Sequence, residues 1–502
     1  MPDLVQNLAL GFSVAFSVTN ILLCLIGCFV GTLIGVLPGI GPLATIAILL
    51  PITFHTEPVG SLIMLAGIYY GAQYGGSTTA ILVNMPGEAS SVMTTLDGHA
   101  MARQGLAGKA LGIAAIGSFA AGTFSTLVVA ALAIPLSRFA LGFGPGEYFA
   151  LMLLGLVLAM VLAGGSLLKA LAMLILGVLM ALVGADMVTA QARLTFGVPQ
   201  LYDGFDVAVI AMGLFGITEV LRNLDSSEHR PVAQTTIGRL LPDWNDMRQS
   251  AGAITRGSLI GTILGVLPGN GAVLAPFAAY SLEKGIAKQP ERFGQGAIEG
   301  VASPESANNA AAQTTFIPLL TLGIPSTAAM ALMGGAMTLH GILPGPRVLT
   351  THPDLFWGMI TSMWIGNVML LVINLPLIGI WVRLLHVPYR LLFPMIVLIC
   401  CIGIYSVNSH PSDVIQVGIF GLLGYLFWKL KLEPAPLLLG FVLGRLLEDN
   451  LRRGLVLSRG NVVTFLSEPT TLVLLVIAAA VLVAALLPRA RTRRAALLVD
   501  DE

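Results

Sequence analysis

Two short motifs rich in glycine and proline are the segments of this chain with the greatest potential for chemistry. GTLIGVLPGIG covers residues 31–41, and the closely similar GTILGVLPGNG covers residues 261–271. In each motif a proline without an amide hydrogen precedes a glycine that tolerates positive φ, so a helix should break there. A broken helix offers free amide groups to anions and free carbonyl groups to cations. Paired breaks at equivalent places are typical of a transporter binding site.

Each motif is followed by a stretch of small and polar residues that contains a second break. The first stretch, residues 74–91, includes Met85-Pro86-Gly87, and the second, residues 305–329, includes Gly323-Ile324-Pro325. Irregular backbone at membrane depth is tolerated where it is buried in protein or lines a cavity. We therefore predict that the four breaks, at Pro38, Pro86, Pro268 and Pro325, surround one site. The candidate substrate ligands are Gly39, Ile40, Gly41, Ser77, Thr78, Thr79, Gly269, Asn270, Gly271, Asn308, Asn309, Thr314, Thr315 and Ser326.

Four acids in or near these stretches, Glu88, Asp97, Glu299 and Glu305, are candidates for ion coupling. An intramembrane carboxylate is a functional hypothesis by default, and we expect Asn84, Glu88 and Glu305 to bind the coupling ion, Na⁺ or H⁺. The alternative is that these acids, together with Asp97 and Glu299, lie at loop ends in water. Neither motif contains Lys or Arg, so amides, hydroxyls and bound cations would have to meet the charge of an anion. For any single serine or asparagine, ordinary helix packing is an equally good interpretation.

The composition places all of these residues in a membrane. Of the 502 residues, 56% are hydrophobic and 10% are charged, against about 25% charged in soluble domains. A span needs roughly 20 apolar residues. The apolar segments predict an all-α polytopic membrane protein with about twelve transmembrane helices, within a range of 10 to 14. Residues 42–54 and 434–447 are short enough to be half-helices or re-entrant hairpins.

A glycine at every fourth position extends the similarity of the two motifs. The stripes are Gly27, Gly31, Gly35 and Gly39 in the first copy and Gly257, Gly261, Gly265 and Gly269 in the second. A stripe without side chains lets two helix backbones approach closely. Thr78-Thr79 and Thr314-Thr315 also correspond at a constant offset, so we predict two repeat halves.

Lysine and arginine predict the orientation of the two halves. Five arginines lie in residues 222–256 and four in the C-terminal tail, so both segments should be cytoplasmic. The second motif helix would then start inside and the first outside, which makes inverted repeats our prediction and parallel repeats the alternative. The predicted divisions are a first half at 1–221, a cytoplasmic linker at 222–254, a second half at 255–450, a final transmembrane segment at 451–488 and a basic, then acidic, cytoplasmic tail at 489–502.

Several classes of function lack their usual sequence features. Formal net charge is zero, so no nucleic-acid footprint is present. The chain has no Walker A, HExxH or GxSxG motif, and the GxGxxA match at residues 39–44 follows a membrane-helix pattern rather than a strand. Four cysteines lie in apolar runs, where they act as small packing residues. We therefore expect no enzyme activity, no cofactor and no metal beyond Na⁺. The N-terminus shows no removable signal peptide.

With these motifs in view, nearly the whole chain resembles the large membrane subunit of the tripartite tricarboxylate transporters, the TctA family. The resemblance is most specific in GTLIGVLPGIGPLATIAILLP, YYGAQYGGSTTAILVNMPGEASS, GTILGVLPGNGAVLAPFAAYSLEK and ASPESANNAAAQTTFIPLLTLGIPSTAAMALMGGAM. It implies an ion-coupled secondary transporter of the bacterial inner membrane. A periplasmic binding protein would deliver a carboxylate such as citrate, and a small membrane subunit of about four spans would accompany this chain. A stand-alone carboxylate carrier or channel is the alternative, and the residues select neither the carboxylate nor Na⁺ over H⁺.

Overall fold

The computed structural model describes residues 2–37, 41–53, 56–163, 166–186, 189–225, 237–269, 271–384 and 389–486. Four residues of the predicted site, Pro38, Gly39, Ile40 and Asn270, lie outside the described residues, as do the tail 489–502 and part of the predicted linker.

The described residues are almost entirely helical, which confirms the all-α polytopic prediction. In chain order the α-helices are α1 Pro2–Ala15, α2 Val18–Val36, α3 Pro42–Thr53, α4 Pro58–Val83, α5 Val92–Thr94, α6 Ala100–Arg103, α7 Ala107–Leu141, α8 Pro145–Leu162, α9 Leu167–Ala181, α10 Val207–Ala211, α11 Thr218–Asp225, α12 Trp244–Gly265, α13 Gly271–Ile286, α14 Glu299–Thr314, α15 Phe316–Leu322, α16 Ala328–Leu339, α17 Val348–Thr351, α18 Pro353–Asn374, α19 Ile378–Leu384, α20 Tyr389–Asn408, α21 Pro411–Lys429, α22 Ala435–Leu457, α23 Val462–Leu466 and α24 Pro469–Leu486.

Short elements complete the fold. The π-helical turns are Thr95–His99 and Met212–Ile217, and the 3₁₀ turns are Ala89–Ser91, Pro199–Leu201 and Pro290–Arg292. Strands β1 Gly184–Ala185 and β2 Ala192–Arg193 pair antiparallel, with Gly184 opposite Arg193.

Fewer helices than predicted have the length and composition of a complete span. Among the described residues these are seven, namely α2, α7, α8, Val207–Asp225, α18, α21 and α24, and five shorter apolar helices accompany them at Leu4–Ala15, Pro42–Thr53, Leu167–Ala181, Ala328–Leu339 and Pro394–Ser406. The difference from the expected twelve arises where helices are broken or carry polar residues. The region of α12 and α13, for example, reads as one span in the sequence but is interrupted between Gly265 and Gly271.

The glycine stripes bring pairs of helices into backbone contact. A Cβ atom built on Gly31 of α2 would lie 2.3 Å from the carbonyl oxygen of Ile68 in α4, and one on Gly261 of α12 would lie 2.2 Å from that of Ala307 in α14. No side chain can occupy such a space without moving a backbone, so the close approach requires glycine. The same contact recurs for Gly27 with Met64, Gly35 with Ala72, Gly257 with Ser303 and Gly265 with Ala311.

These contacts also fix the directions of the helices. Within each half the partner's residue number rises along the stripe, so α2 is parallel to α4 and α12 is parallel to α14. Between the halves the order is reversed, because the Tyr69 ring of α4 packs on Phe316 whereas Ser77, two turns later, contacts Glu305. The two motif helices therefore run in opposite directions, which is the arrangement that inverted repeats require.

The ends of α4 and α15 define which residues of the halves are equivalent. Asn84 ends α4 with φ 57° and Gly323 ends α15 with φ 74°, and the two positions differ by 239 residues (323 − 84). The stripe contacts give the same offset, since Ile68 and Ala307 also differ by 239 (307 − 68). Thr78-Thr79 and Thr314-Thr315 differ by 236 (314 − 78). The predicted match of the threonine pairs is therefore wrong by three residues, or about one helical turn. The pairs have the same residue types, but the helix ends align the two halves differently.

The predicted linker contributes to the helical body. Helix α12 begins at Trp244, ten residues before the expected end of the linker, and Asp243 caps it by accepting a 2.9 Å hydrogen bond from the Asp246 amide. This bond holds the pKa of the Asp243 carboxyl below its usual value. Lys109, in the first turn of α7, pairs with Asp246 at 2.9 Å, so the linker end of α12 is fixed against the start of α7.

Candidate binding site

Two glutamates, Glu88 and Glu305, lie near the predicted second breaks. Glu88 follows the end of α4, and Glu305 belongs to α14. We call residues 84–88 the Asn84 break and residues 323–327 the Gly323 break. Glu305 of α14 is fully buried, and its carboxylate accepts a 2.5 Å hydrogen bond from the Ser77 hydroxyl and a second from the Thr94 hydroxyl. Among the described residues, no Lys, Arg or His forms an ion pair or hydrogen bond with this carboxylate.

Glu88, at the end of the Asn84 break, belongs to a second polar group. Its Oε1 atom accepts a 2.5 Å hydrogen bond from the Ser90 hydroxyl and a 3.4 Å bond from Nδ2 of Asn308. The Ser90 hydroxyl also lies 3.2 Å from Oε1 of Gln73. Asn308 is buried, and its Oδ1 atom has no hydrogen-bond partner among the described residues. An unpaired buried oxygen is costly, so this atom is available to a bound ligand.

The Gly323 break has a matching contact with α4. The hydroxyl of Tyr69 interacts with the side chains of Gln73, Thr315 and Thr327. Tyr69 is equivalent to Asn308 and Glu88 to Thr327 at the offset of 239 residues (308 − 69, 327 − 88). In both halves, therefore, the residue that follows the break faces a polar group on the long helix of the other half. The two breaks and the two helices therefore border one polar region.

The glycine motif of the second half is tied to the Gly323 break. The Gly269 amide donates a 2.8 Å hydrogen bond to the carbonyl oxygen of Ser326, and the Ser326 hydroxyl donates to that of Thr315 at 3.0 Å. Gly269 has φ 102°, and a Cβ atom there would lie 2.8 Å from the Leu158 carbonyl oxygen. Helix α13 then starts at Gly271, where a Cβ atom would meet the Leu264 carbonyl oxygen at 2.1 Å.

Several predicted ligands direct their hydroxyls at helix carbonyls instead. Thr79 donates to Val36 O at 3.0 Å, which ties α4 to the end of α2. Thr314 and Thr315 donate to carbonyl oxygens three or four residues earlier in α14. Asn309 donates to the Ser118 hydroxyl of α7 at 2.7 Å. Thr79 and Asn309 therefore join two helices, whereas Thr314 and Thr315 bond to α14 itself. Gly41 has no atom within 4 Å of its Cβ position.

A small cavity adjoins Glu305 on the side of α7 and α18. Its polar lining residues are Tyr74, Ser77, Thr78, Ser118 and Asn374. Ser77 thus lines the cavity and also donates to Glu305. The sequence analysis missed Thr94, Ser118 and Asn374. Thr94 lies three residues beyond the first polar stretch, whereas Ser118 and Asn374 are single polar residues in apolar runs, which was the available signal.

The two remaining candidate acids have structural partners. Oδ1 of Asp97 accepts hydrogen bonds from the amides of Gly294, Gly296 and Ala297 at 2.8 to 2.9 Å, and its Oδ2 accepts one from the Tyr280 hydroxyl at 2.9 Å. Glu299 accepts a 2.8 Å bond from Gln249. Asp97 is fully buried and joins the segment after the Asn84 break to the turn before α14.

We expect Asp97→Ala to destabilise the protein by about 3 kcal/mol, because three amides, among them the buried amide of Ala297, lose their acceptor. The unfolding temperature of the purified protein in detergent measures the effect. Asp203→Ala is the matched control, since Asp203 is exposed and its replacement should leave the unfolding temperature within a degree or two. Equal unfolding temperatures for the two variants would contradict a structural role for Asp97.

Metal chelation by acidic, histidine or cysteine clusters receives no support. Within the described ranges, no group of three or more His, Cys, Asp or Glu residues is placed to hold a metal ion. The four cysteines are free.

Comparison with known proteins finds one matching family and two similar proteins. Residues 21–439 match the model of the tripartite tricarboxylate transporter TctA family. A protein of Agrobacterium vitis described as "Uncharacterized 52.8 kDa protein in TAR-I ttuC' 3'region" is 55% identical over 502 residues, covering all of both chains. A second, "Uncharacterized protein in TAR-II ttuC' 3'region" of the same organism, is 57% identical over 242 residues, which is 48% of this chain and all of that protein. No solved structure matches.

Proposed function

This chain belongs to the tripartite tricarboxylate transporter TctA family, and from that premise we propose that it forms the path by which a carboxylate is taken up. The substrate is a tricarboxylate such as citrate or a related carboxylate, and a sodium or proton gradient drives its accumulation. A periplasmic binding protein delivers the anion, and a small membrane subunit of about four spans completes the complex in the bacterial inner membrane. This multi-pass membrane protein acts as the large subunit.

The observation that carries the proposal is the polar region between the Asn84 break and the Gly323 break. It combines the starts of short helical segments, whose amides attract anions, with hydroxyls and the free Oδ1 atom of Asn308. Such a buried polar surface is costly in a membrane protein unless a ligand or water uses it. Its location between antiparallel equivalent helices is typical of secondary transporters built from inverted repeats.

In this proposal the anion binds between the two breaks and is released inward when the halves rearrange around it. The described residues of this region supply no Lys or Arg. Amides and hydroxyls therefore bind the carboxylates, and a co-transported cation offsets part of their charge. Glu88 and Glu305 are the candidate groups for that cation, with Asn84 beside them. Asn308→Ala should weaken uptake without unfolding the protein, since it removes the polar side chain and adds no volume.

Uptake into proteoliposomes tests the function. The vesicles hold this protein with its small partner subunit, and labelled citrate, succinate and benzoate are compared with and without the binding protein and an inward sodium or proton gradient. Accumulation that requires both the binding protein and a gradient is the expected result. Flux without the binding protein would favour the stand-alone carrier or channel, and no flux for any carboxylate would overturn the proposal.

A further inference from the structure

Glu305 differs from three other buried acids, Asp97, Asp246 and Glu283, in the nature of its partners. Asp97 is satisfied by amides, Asp246 by Lys109, and Glu283 by Arg256, whose Nε lies 2.6 Å from Oε1. Glu305 is 0% exposed, and its oxygens meet the hydroxyls of Ser77 and Thr94. An ionised carboxylate so far from water is strongly disfavoured unless a positive charge joins it.

The partners of the Glu305 carboxyl group suit the exchange of a proton. Oε2 accepts a hydrogen bond from the Ser77 hydroxyl and Oε1 accepts one from the Thr94 hydroxyl. A hydroxyl can donate to a carboxylate and can equally accept from a protonated carboxyl group, so both protonation states of Glu305 can keep these two hydrogen bonds. The carboxyl group of Glu305 is therefore arranged for hydrogen bonding on both of its oxygens.

The cavity next to Ser77 lies toward one end of the helices that line it. Besides residues of α4, its lining comes from residues 111–118 near the start of α7 and from Asn374, the last residue of α18. The start of α7 packs against the linker, since a Cβ atom on Gly108 would lie 2.7 Å from the Arg239 carbonyl oxygen. That end of the protein carries the arginine-rich segment and is expected in the cytoplasm. Asn374 is buried in the cavity wall, and its Oδ1 atom has no described partner, so a water molecule there would find an acceptor.

We propose that Glu305 carries the proton that is transported with the carboxylate, and that Ser77 passes this proton into the cavity toward the cytoplasm. This inference rests on the proposed function and selects its coupling ion. In the release step the Glu305 carboxyl donates its proton to the Ser77 oxygen while the Ser77 hydroxyl gives its own proton to cavity water. One proton leaves, the serine is unchanged, and Glu305 remains as a carboxylate until the outward-facing state reloads it.

The groups around Glu305 agree with this role. The titratable side chains that act on it from packed elements are Tyr74 of α4 and Glu88 of the Asn84 break. The uncharged hydroxyls of Ser77 and Thr94 face its carboxyl group, and the Ser118 hydroxyl donates to its backbone carbonyl oxygen at 3.5 Å. No described cation competes with the proton, and ionised Glu88 would repel a second negative charge at Glu305.

Glu305→Gln in the complete complex tests the inference. Two rates are compared in proteoliposomes: accumulation of a labelled carboxylate driven by a proton gradient, and exchange of internal for external carboxylate without a gradient. The ratio of accumulation to exchange should fall by about tenfold or more, because the glutamine cannot release a proton. Glu305→Asp should restore a large part of that ratio. Ser303→Ala is the matched control, because Ser303 lies on the same helix, is buried, and has no described hydroxyl partner.

Each other outcome contradicts the inference. An unchanged ratio in Glu305→Gln, or accumulation by the wild type that responds to sodium and not to pH, would overturn it and leave the proposed function standing. Equal loss of exchange and accumulation in folded Glu305→Gln would show that Glu305 binds the anion or supports the fold instead. No carboxylate flux in the wild type would overturn the proposed function as well.

Discussion

Gly261→Leu is expected to prevent stable folding of the second half of the protein. The Cβ atom would lie 2.2 Å from the Ala307 carbonyl oxygen and 2.8 Å from the Ala310 side chain, so α12 would have to separate from α14. Loss of this packing should cost about 3 kcal/mol or more. The yield of monodisperse protein in size-exclusion chromatography and the unfolding temperature measure the result.

Gly418→Leu provides the control for this prediction. Gly418 also lies within a helix, α21, but no atom lies within 4 Å of its Cβ position. Leucine should therefore be tolerated there. A folded Gly261→Leu protein with the unfolding temperature of Gly418→Leu would show that the stripe is not a tight backbone contact.

Gly269→Leu is expected to abolish uptake while the chain still inserts into the membrane. A leucine at this position would have to adopt φ 102°, and its Cβ atom would lie 2.8 Å from the Leu158 carbonyl oxygen. The backbone would therefore have to shift, and the amide that bonds to Ser326 would move with it. A shift of about 1 Å in a binding geometry can cost about a hundredfold in rate. Carboxylate uptake by the reconstituted complex measures the loss.

Gly285→Leu serves as the reference variant for Gly269→Leu. Gly285 is exposed near the end of α13, and its Cβ position has no neighbour within 4 Å. Its uptake should match the wild type. Normal uptake in folded Gly269→Leu would show that transport does not require the glycine motif.

The sequence predicts best what glycine and proline impose on the nearby backbone. The end of α4 at Asn84 and that of α15 at Gly323 follow from the residues present there. The glycine stripes likewise predict close helix pairs, because a four-residue spacing places every glycine on one face of a helix. The relative directions of those helix pairs could be determined only from contacts between the two halves, such as that of Ser77 with Glu305.

Residues whose roles depend on distant neighbours could not be identified from the sequence. Thr94 became a partner of Glu305 because the segment after the Asn84 break returns to α14. Asp97 appeared as a candidate coupling acid, yet three amides from residues 294–297 surround it. The threonine pairs suggested a register that the helix ends correct by three residues. In each case the decisive partner lies more than 190 residues away in the chain or on another helix.

The most direct test of the central claim is whether the transported carboxylate protects both breaks from a thiol reagent. Ala89→Cys follows the Asn84 break and Thr327→Cys ends the Gly323 break, while Asp203→Cys on an exposed turn is the reference. The wild-type chain serves as the blank: Cys24, Cys28 and Cys400 are buried, and its signal measures the reaction of the partly exposed Cys401. We predict that the carboxylate slows N-ethylmaleimide modification of both break positions and leaves Asp203→Cys unaffected. Unchanged modification at both breaks in a complex that still transports would contradict binding of the anion between them.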